Sequence, residues 1–252
     1  MSITQTFYDN LAFHYDKLFL DWQATTEEQA LILDKIFKEY GFDNTAEVLD
    51  CACGIGTQAI GLARLGYSVT GSDISHVELA EAKERAKRNQ VEISFKHADF
   101  CALSKTFSED FDIVIAMDNA LPHMLSKEDL DCAVSSIVGQ LKSGGIFVAS
   151  IRDYDALLMD KPPYSPPYIH KTDDGQRVSF QTWHWEGENY RLVQYIISDG
   201  QKLDVNRFEC EYRATRREEL TQLLYSNGCK KVEWKFPEET DFYQPVVVAV
   251  KA

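Results

Sequence analysis

The segment Glu47-Val-Leu-Asp-Cys-Ala-Cys-Gly-Ile-Gly-Thr57, answered by Val69-Thr-Gly-Ser-Asp73, constrains this chain more than any other. It reads as a buried strand, a glycine turn, a helix and a second strand that ends in a carboxylate. Val48 and Leu49 are apolar strand residues, and Gly54 and Gly56 permit backbone angles and a close ligand approach that a side chain blocks. Thr57 is expected to cap the helix that continues through Gln58-Ala-Ile-Gly-Leu-Ala-Arg-Leu65, and Gly66 to close it. Tyr67-Ser-Val-Thr-Gly71 returns as a strand. Asp73 then follows Gly56 at about the spacing of an acid that accepts hydrogen bonds from both ribose hydroxyls. A unit in this order binds a nucleoside-containing cofactor. The plainer alternative is a βαβ unit with a glycine turn and no ligand.

A dinucleotide site shares much of this pattern, and Gly54-Ile-Gly-Thr-Gln-Ala59 matches its loose form. Asp50, four residues before Gly54, argues for a different ligand. An acid there suits a cationic amine and repels a pyrophosphate. More of a pocket recurs downstream. Phe95-Lys-His-Ala-Asp99-Phe100 sets an acid after a third strand, where it can accept from an adenine amino group. Phe111-Asp-Ile-Val-Ile-Ala-Met117 is an apolar fourth strand that delivers Asp118 and Asn119 to the same sheet edge, and Leu141-Lys-Ser-Gly-Gly-Ile-Phe-Val-Ala-Ser150 is a turn into a fifth.

On these motifs the chain resembles the class I S-adenosylmethionine-dependent methyltransferases, over about residues 1–155 and again in the final strand pair. The resemblance implies an α/β, Rossmann-like fold: a mostly parallel seven-stranded sheet with helices on both faces. It implies S-adenosyl-L-methionine as cofactor. Asp50 then lies near the methionine moiety, Asp73 holds the ribose and Asp99 meets adenine. The implied cofactor set is Tyr15, Asp50, Cys51, Gly54, Gly56, Asp73, Ile74, Asp99, Phe100 and Met117.

The net charge of −14, with no basic stripe to offset it, argues against a nucleic-acid partner and for a solvated acidic surface. No apolar run is long enough for a membrane span, and the N-terminus shows no secretory segment. The six cysteines, at 51, 53, 101, 132, 210 and 229, lack zinc spacing, so no metal is expected. Reduced thiols and the absence of an export signal point to the cytoplasm.

Residues 1–45 are expected to form two helices over the cofactor site, at 3–20 and 25–40, the second capped around Thr25–Thr26 and closed by Gly41. Strands and helices alternate from 46 to about 152, which predicts a Rossmann-like domain of residues 46–158 and 214–252. Lys161-Pro-Pro-Tyr-Ser-Pro-Pro167 breaks the rhythm as an irregular, partly extended connection. Three strand-like runs follow: Arg177–Trp185, Tyr190–Ile197 and Lys202–Tyr212, separated by Glu186-Gly-Glu-Asn and Ser198-Asp-Gly-Gln turns. They predict a three-stranded antiparallel lobe, residues 159–213, inserted after the fifth strand. Thr215 then opens a helix to about Asn227-Gly228, and Lys231–Phe236 with Pro245–Val250 closes the sheet.

Methyl transfer needs an in-line nucleophile with a free lone pair in a water-poor pocket, so selectivity belongs at the ends of strands four and five and under the lobe. Asp118-Asn119-Ala-Leu-Pro-His123 follows strand four: Asn119 can orient a polar substrate, and His123 can accept a proton or simply bond the loop. Arg152, after strand five, can grip a carboxylate or pair with Asp153 or Asp155. Together with the insert, the Arg152-Asp-Tyr154-Asp segment and His123 resemble the glycine and glycine/sarcosine N-methyltransferases. By that resemblance Arg152 binds an amino acid carboxylate, Asn119 lines the pocket and Tyr154 supports it. Those enzymes carry Asn where this chain has Asp153, which leaves room for another small amine or acid.

Three aromatic or basic features keep two readings each. Phe7-Tyr-Asp-Asn-Leu-Ala-Phe-His-Tyr15-Asp16 resembles a segment that closes over the cofactor, with Tyr15 as contact and Trp22 as second candidate, or packs as an amphipathic stripe of Phe7, Leu11 and Leu18. Trp183, Trp185, Tyr190 and Tyr195 form a cation–π cage or a packed sheet face. Arg213, Arg216 and Arg217 add an anion contact or pair with Glu218 and Glu219. The expected function is methyl transfer to a small molecule, with an amino-acid-like amine as acceptor. An O-methyltransferase, an NAD-dependent oxidoreductase and a non-catalytic cofactor-binding protein are the alternatives. Monomer and homo-oligomer are both open.

Overall fold

The apolar strands alternate strictly, and the two sets of side chains they throw out build two cores. Leu49, Val114, Phe147, Ala149 and Val247 enter one cluster; Val48, Ile113, Ile115, Ile146 and Val248 enter the other. Both sheet faces are therefore covered, as a mostly parallel sheet requires.

The computed structural model describes residues 2–173 and 175–252. Helix α1 (Ile3–Leu11) runs into a 3-10 segment (Ala12–Leu18) and is followed by α2 (Trp22–Glu39). Then come β1 (Glu47–Asp50), α3 (Thr57–Arg64), β2 (Ser68–Asp73), α4 (His76–Arg88), β3 (Ser94–His97), β4 (Phe111–Ala116), α5 (Lys127–Gly139) and β5 (Leu141–Ser150). The chain continues through α6 (Tyr154–Asp160), β6 (Tyr168–Thr172), β7 (Gly175–Glu186), β8 (Asn189–Asp199) and β9 (Leu203–Arg213). It ends with α7 (Arg217–Ser226), β10 (Cys229–Lys235), α8 (Pro237–Thr240) and β11 (Val246–Lys251).

The main sheet has seven strands in the order β10-β11-β5-β4-β1-β2-β3, parallel except for β11, which runs antiparallel to its neighbours β5 and β10. Strand order reverses beside β1, between β2 and β4. Ligands of open α/β sheets bind at such a switch point, beyond the carboxyl ends of the strands. This is the Rossmann-like sheet expected above. All six cysteines carry free thiols. Among the described residues no helix is long and apolar enough to cross a membrane.

Four local expectations are corrected. The lobe has four antiparallel strands, β6-β7-β8-β9, and not three. Tyr168–Thr172 pairs with Gly175–Ser179, and the proline run before it continues the same edge, with Tyr164 bridged to Thr182. Proline supplies no N–H, but Ser165 donates to the Gln181 carbonyl at 2.9 Å and Trp183 to that of Pro163 at 2.8 Å. Helix α2 starts at Trp22 and is capped by Asp21, whose carboxylate accepts from the Ala24 N–H at 3.1 Å. Thr25 and Thr26 lie inside its first turns, their hydroxyls bonded back to Asp21 and Trp22 carbonyls. The cap of α3 is Gly56, at φ 91°, and not Thr57. Residues 12–18 wind as 3-10 helix, so Tyr8 and Tyr15 do not share one α-helical face; their rings still stack at 6.5 Å.

Candidate active site

Two cavities meet at the carboxyl edge of the sheet. The first, about 490 Å³, lies over β1, β2 and β4 beneath α1. Its wall includes Cys51, Gly54, Asp73, Ile74, Asp99, Phe100 and Met117, with Tyr8 and Tyr15 above them. The glycine turn builds this wall: Gly54 sits at φ 51° and donates its N–H to Asp73 Oδ2 at 2.9 Å. Asp73 Oδ1 accepts from the Ser75 N–H at 2.8 Å, so the carboxylate is fixed and keeps lone pairs for a ligand. Asp99 caps the next turn through the Cys101 N–H at 2.8 Å and lines the cavity.

Asp50 and Gly56 are not on the cavity surface. Asp50 is fully buried one residue behind Cys51, its Oδ2 without a partner, while an added side chain on Gly56 would meet Ile60 and Ala82. Gly56 thus serves the turn and helix packing. Burial lifts the Asp50 carboxyl to about 8, and Asp73 and Asp118 add to the lift. Burial also pushes Asp73, Glu78 and Asp118 upward. Asp73, Glu78 and Asp118 on the cavity wall, with Asp50 buried behind them, favour a cationic occupant.

The sequence had singled out neither Glu78 nor Gln58, and both line this cavity. Gln58 donates to Asp118 Oδ2 at 2.7 Å, and Tyr243 to Oδ1 at 2.8 Å. Asp118 and Asn119 sit consecutively at φ 55° and 71°, tied by N–H bonds to Ser150 Oγ at 2.8 Å and its carbonyl at 3.1 Å. Left-handed non-glycine residues carry a cost that surrounding contacts must hold in place. Here the strained pair aims Asp118 at the junction, where it lines both cavities with Tyr8 and Tyr15.

The second cavity, about 890 Å³, lies under the lobe. Arg152 enters it, donating to Tyr190 Oη at 2.8 Å and Gln181 Oε1 at 3.0 Å, with its guanidinium 5.1 Å from the Trp183 ring and 5.5 Å from Tyr212. Among the described residues no carboxylate pairs with it. Arg217 has taken Asp153 and Asp155, the two acids beside Arg152 in sequence. Asn119 Oδ1 accepts from the Arg152 N–H at 3.1 Å and the Tyr154 hydroxyl at 3.0 Å, leaving its buried Nδ2 unpartnered.

His123 lies on the first cavity and bonds the Tyr8 hydroxyl through Nε2 at 2.8 Å. Burial pushes its imidazole down to about 3, so near neutral pH it is an uncharged partner that holds Tyr8. Trp22 is a packing residue, donating to Thr57 Oγ1 at 2.9 Å and covered by Arg85. Arg213 pairs with Glu219, and Arg216 with Glu188. Trp183 and Tyr190 are buried against Arg152 and Tyr212, so the lobe aromatics form a packed face around a protein cation.

Residues 48–145 match the family described as methyltransferase domain. The chain is 26% identical over 246 residues to a glycine/sarcosine N-methyltransferase of Aphanothece halophytica, covering 91% of this chain and 84% of that one. It is 33% identical over 150 residues to glycine N-methyltransferase of Rattus norvegicus, covering 55% of this chain and 50% of that one. A solved amino pentose methyltransferase of Micromonospora echinaspora, bound to S-adenosylmethionine, superposes with a TM-score of 0.77 at 16% identity, over 90% and 92% of the two chains. With the acid-lined cavity at the switch point, these likenesses define an S-adenosylmethionine-dependent methyltransferase. Within that class the chain is similar to the glycine/sarcosine N-methyltransferases.

The site fits that cofactor. A fixed, buried Asp73 suits a ribose, and the surrounding acids suit its sulfonium and ammonium charges.

Proposed function

We propose that this enzyme methylates the amino nitrogen of a small acceptor that also carries a carboxylate, an amino-acid-like amine of the glycine or sarcosine kind. One observation carries the reading: the half-buried Arg152 has no carboxylate partner among the described residues and stands beside the unpartnered amide of Asn119. A guanidinium partly withdrawn from water gains from an anion that completes it, and its planar fork matches a carboxylate. The names of the relatives agree with this reading.

When bound, the cofactor supplies an electrophilic methyl group on sulfur. The residues of this chain do the placing. Arg152 and Asn119 hold the acceptor's carboxylate in the second cavity. Asp118, on the wall that the two cavities share, receives the amine. Its negative charge is held by Gln58 and Tyr243, and it accepts a hydrogen bond from the nitrogen that must present its lone pair. Tyr8 and Tyr15 close the junction against water, which raises the strength of each charged contact.

The test is release of S-adenosylhomocysteine with glycine, sarcosine and other small amino acids, and with acetate as the matching acid that lacks the amine. Turnover is expected with the amines and not with acetate. Arg152→Lys should lower kcat/KM by about a hundredfold, as loss of a bidentate charged contact does. Calorimetric affinity for the cofactor should stay within about twofold, because Arg152 lies outside its cavity. Full turnover by the Lys variant would refute the carboxylate assignment.

A further inference from the structure

Ser75-His-Val-Glu78 has the form of a capping box, in which the Ser side chain accepts from the Glu N–H and the Glu side chain returns to the Ser N–H. Only the first half exists here. Ser75 Oγ accepts from the Glu78 N–H at 3.1 Å, but the Ser75 N–H is already bonded to Asp73 Oδ1. Glu78 is thereby released from its capping duty, and its carboxylate turns into the first cavity. The residue has 0% exposure, and neither carboxylate oxygen has a hydrogen-bond partner among the described residues. A buried acid with both oxygens idle is rare in a folded chain, and each such group calls for an explanation.

The position of that carboxylate is specific. A Cβ built on Gly54 would lie 2.7 Å from Glu78 Oε2, so the acid reaches over the Gly54 Cα. Asp73 bonds the N–H of the same residue. Two carboxylates therefore flank one glycine on the wall of one cavity. Asp73 has one lone pair on each oxygen occupied by backbone; Glu78 has all of its acceptor capacity free. Two acids side by side repel each other unless donors lie between them. The vicinal hydroxyls of a ribose are a matching pair of donors.

We propose that Glu78 is a second cofactor-binding acid, sharing the ribose diol with Asp73 so that each carboxylate takes a hydroxyl. The neighbouring Gly54 is then required twice over: for its positive φ, and because any side chain would occupy the place of the Glu78 carboxylate. The assignment rests on the cofactor and is independent of the acceptor.

The experiment is calorimetric titration of the full-length protein with S-adenosylhomocysteine and with its 2′-deoxy and 3′-deoxy analogues. Glu78→Met removes the acid at similar length, and Glu78→Gln keeps an acceptor without the charge. Met should weaken S-adenosylhomocysteine binding by about ten- to a hundredfold, the range of one charge-assisted hydrogen bond, and Gln by less. Against the deoxy analogue that lacks the hydroxyl facing Glu78, wild type and Glu78→Met should bind alike. Thermal melting of the free variants should show no loss, because the change removes an uncompensated buried acid. Unchanged affinity for S-adenosylhomocysteine in both variants would overturn the assignment. So would an equal loss against every analogue, which would mark a structural effect on the turn. If the Met variant does not fold, the same comparison in Glu78→Gln decides.

Discussion

Asp73 is a hinge between fold and chemistry, because one carboxylate both closes the glycine turn and lines the cavity proposed for the cofactor. Asp73→Asn turns an amide N–H toward either the Gly54 or the Ser75 N–H, so the turn loses an acceptor along with the charge. Cofactor affinity should fall by about a hundredfold or more, as expected for at least one charged contact and a disturbed loop. Calorimetry reads this directly, and unchanged affinity would remove Asp73 from the ribose. Asp73 was legible in the sequence because the strand-turn-helix pattern fixes an acid at a set distance from the glycines. Glu78 was not. Its Ser-x-x-Glu setting already has a sufficient local explanation, and only the competing Asp73–Ser75 bond withdraws it. Asp118 was visible as a residue at the sheet edge, but its part in the junction depends on Gln58 and Tyr243, far away along the chain.

At the scale of elements, the packing of α3 on α2 turns on Gly61. A Cβ there would lie 2.4 Å from the Thr26 carbonyl oxygen and 2.7 Å from the Ala30 Cβ, so a methyl group would force the two helices apart. Gly61→Ala should cost about 1–3 kcal/mol despite the better helix propensity of alanine, and urea unfolding at equilibrium measures it. A stabilised variant would show that the contact is loose. The parallel half of the sheet could be read from sequence because each apolar run is long and bounded by its own turn. Strand β6 could not, since Pro166-Pro167 reads as a break and its partner lies across a hairpin. The start of α2 was misplaced for a similar reason. Thr25 and Thr26 look like caps, but Asp21 captures the first free N–H one turn earlier.

The whole molecule carries its buried acids as a stability debt in the cofactor-free state. Asp50, Asp73, Glu78 and Asp118 are all pushed up, first by burial. A group whose folded value is raised gives stability that is present below its ordinary unfolded range, about 4, and is lost as pH rises. For Asp50 the loss extends through about 8. The melting temperature of the cofactor-free protein should therefore fall between pH 5.5 and 8.5. Asp50→Asn should flatten that fall, and saturating S-adenosylmethionine should reduce it, because a cationic ligand favours the ionised acids. A flat or rising wild-type profile would refute the account. The division between the two cavities has a consequence of another kind. No residue of β6, β7, β8 or β9 lines the first cavity, whereas Gln181, Trp183 and Tyr212 from these strands line the second. On the proposed assignment the inserted sheet is a cassette: its exchange would change the acceptor, with the Tyr212–His123 contact as a seam to the first cavity that an engineer would have to keep.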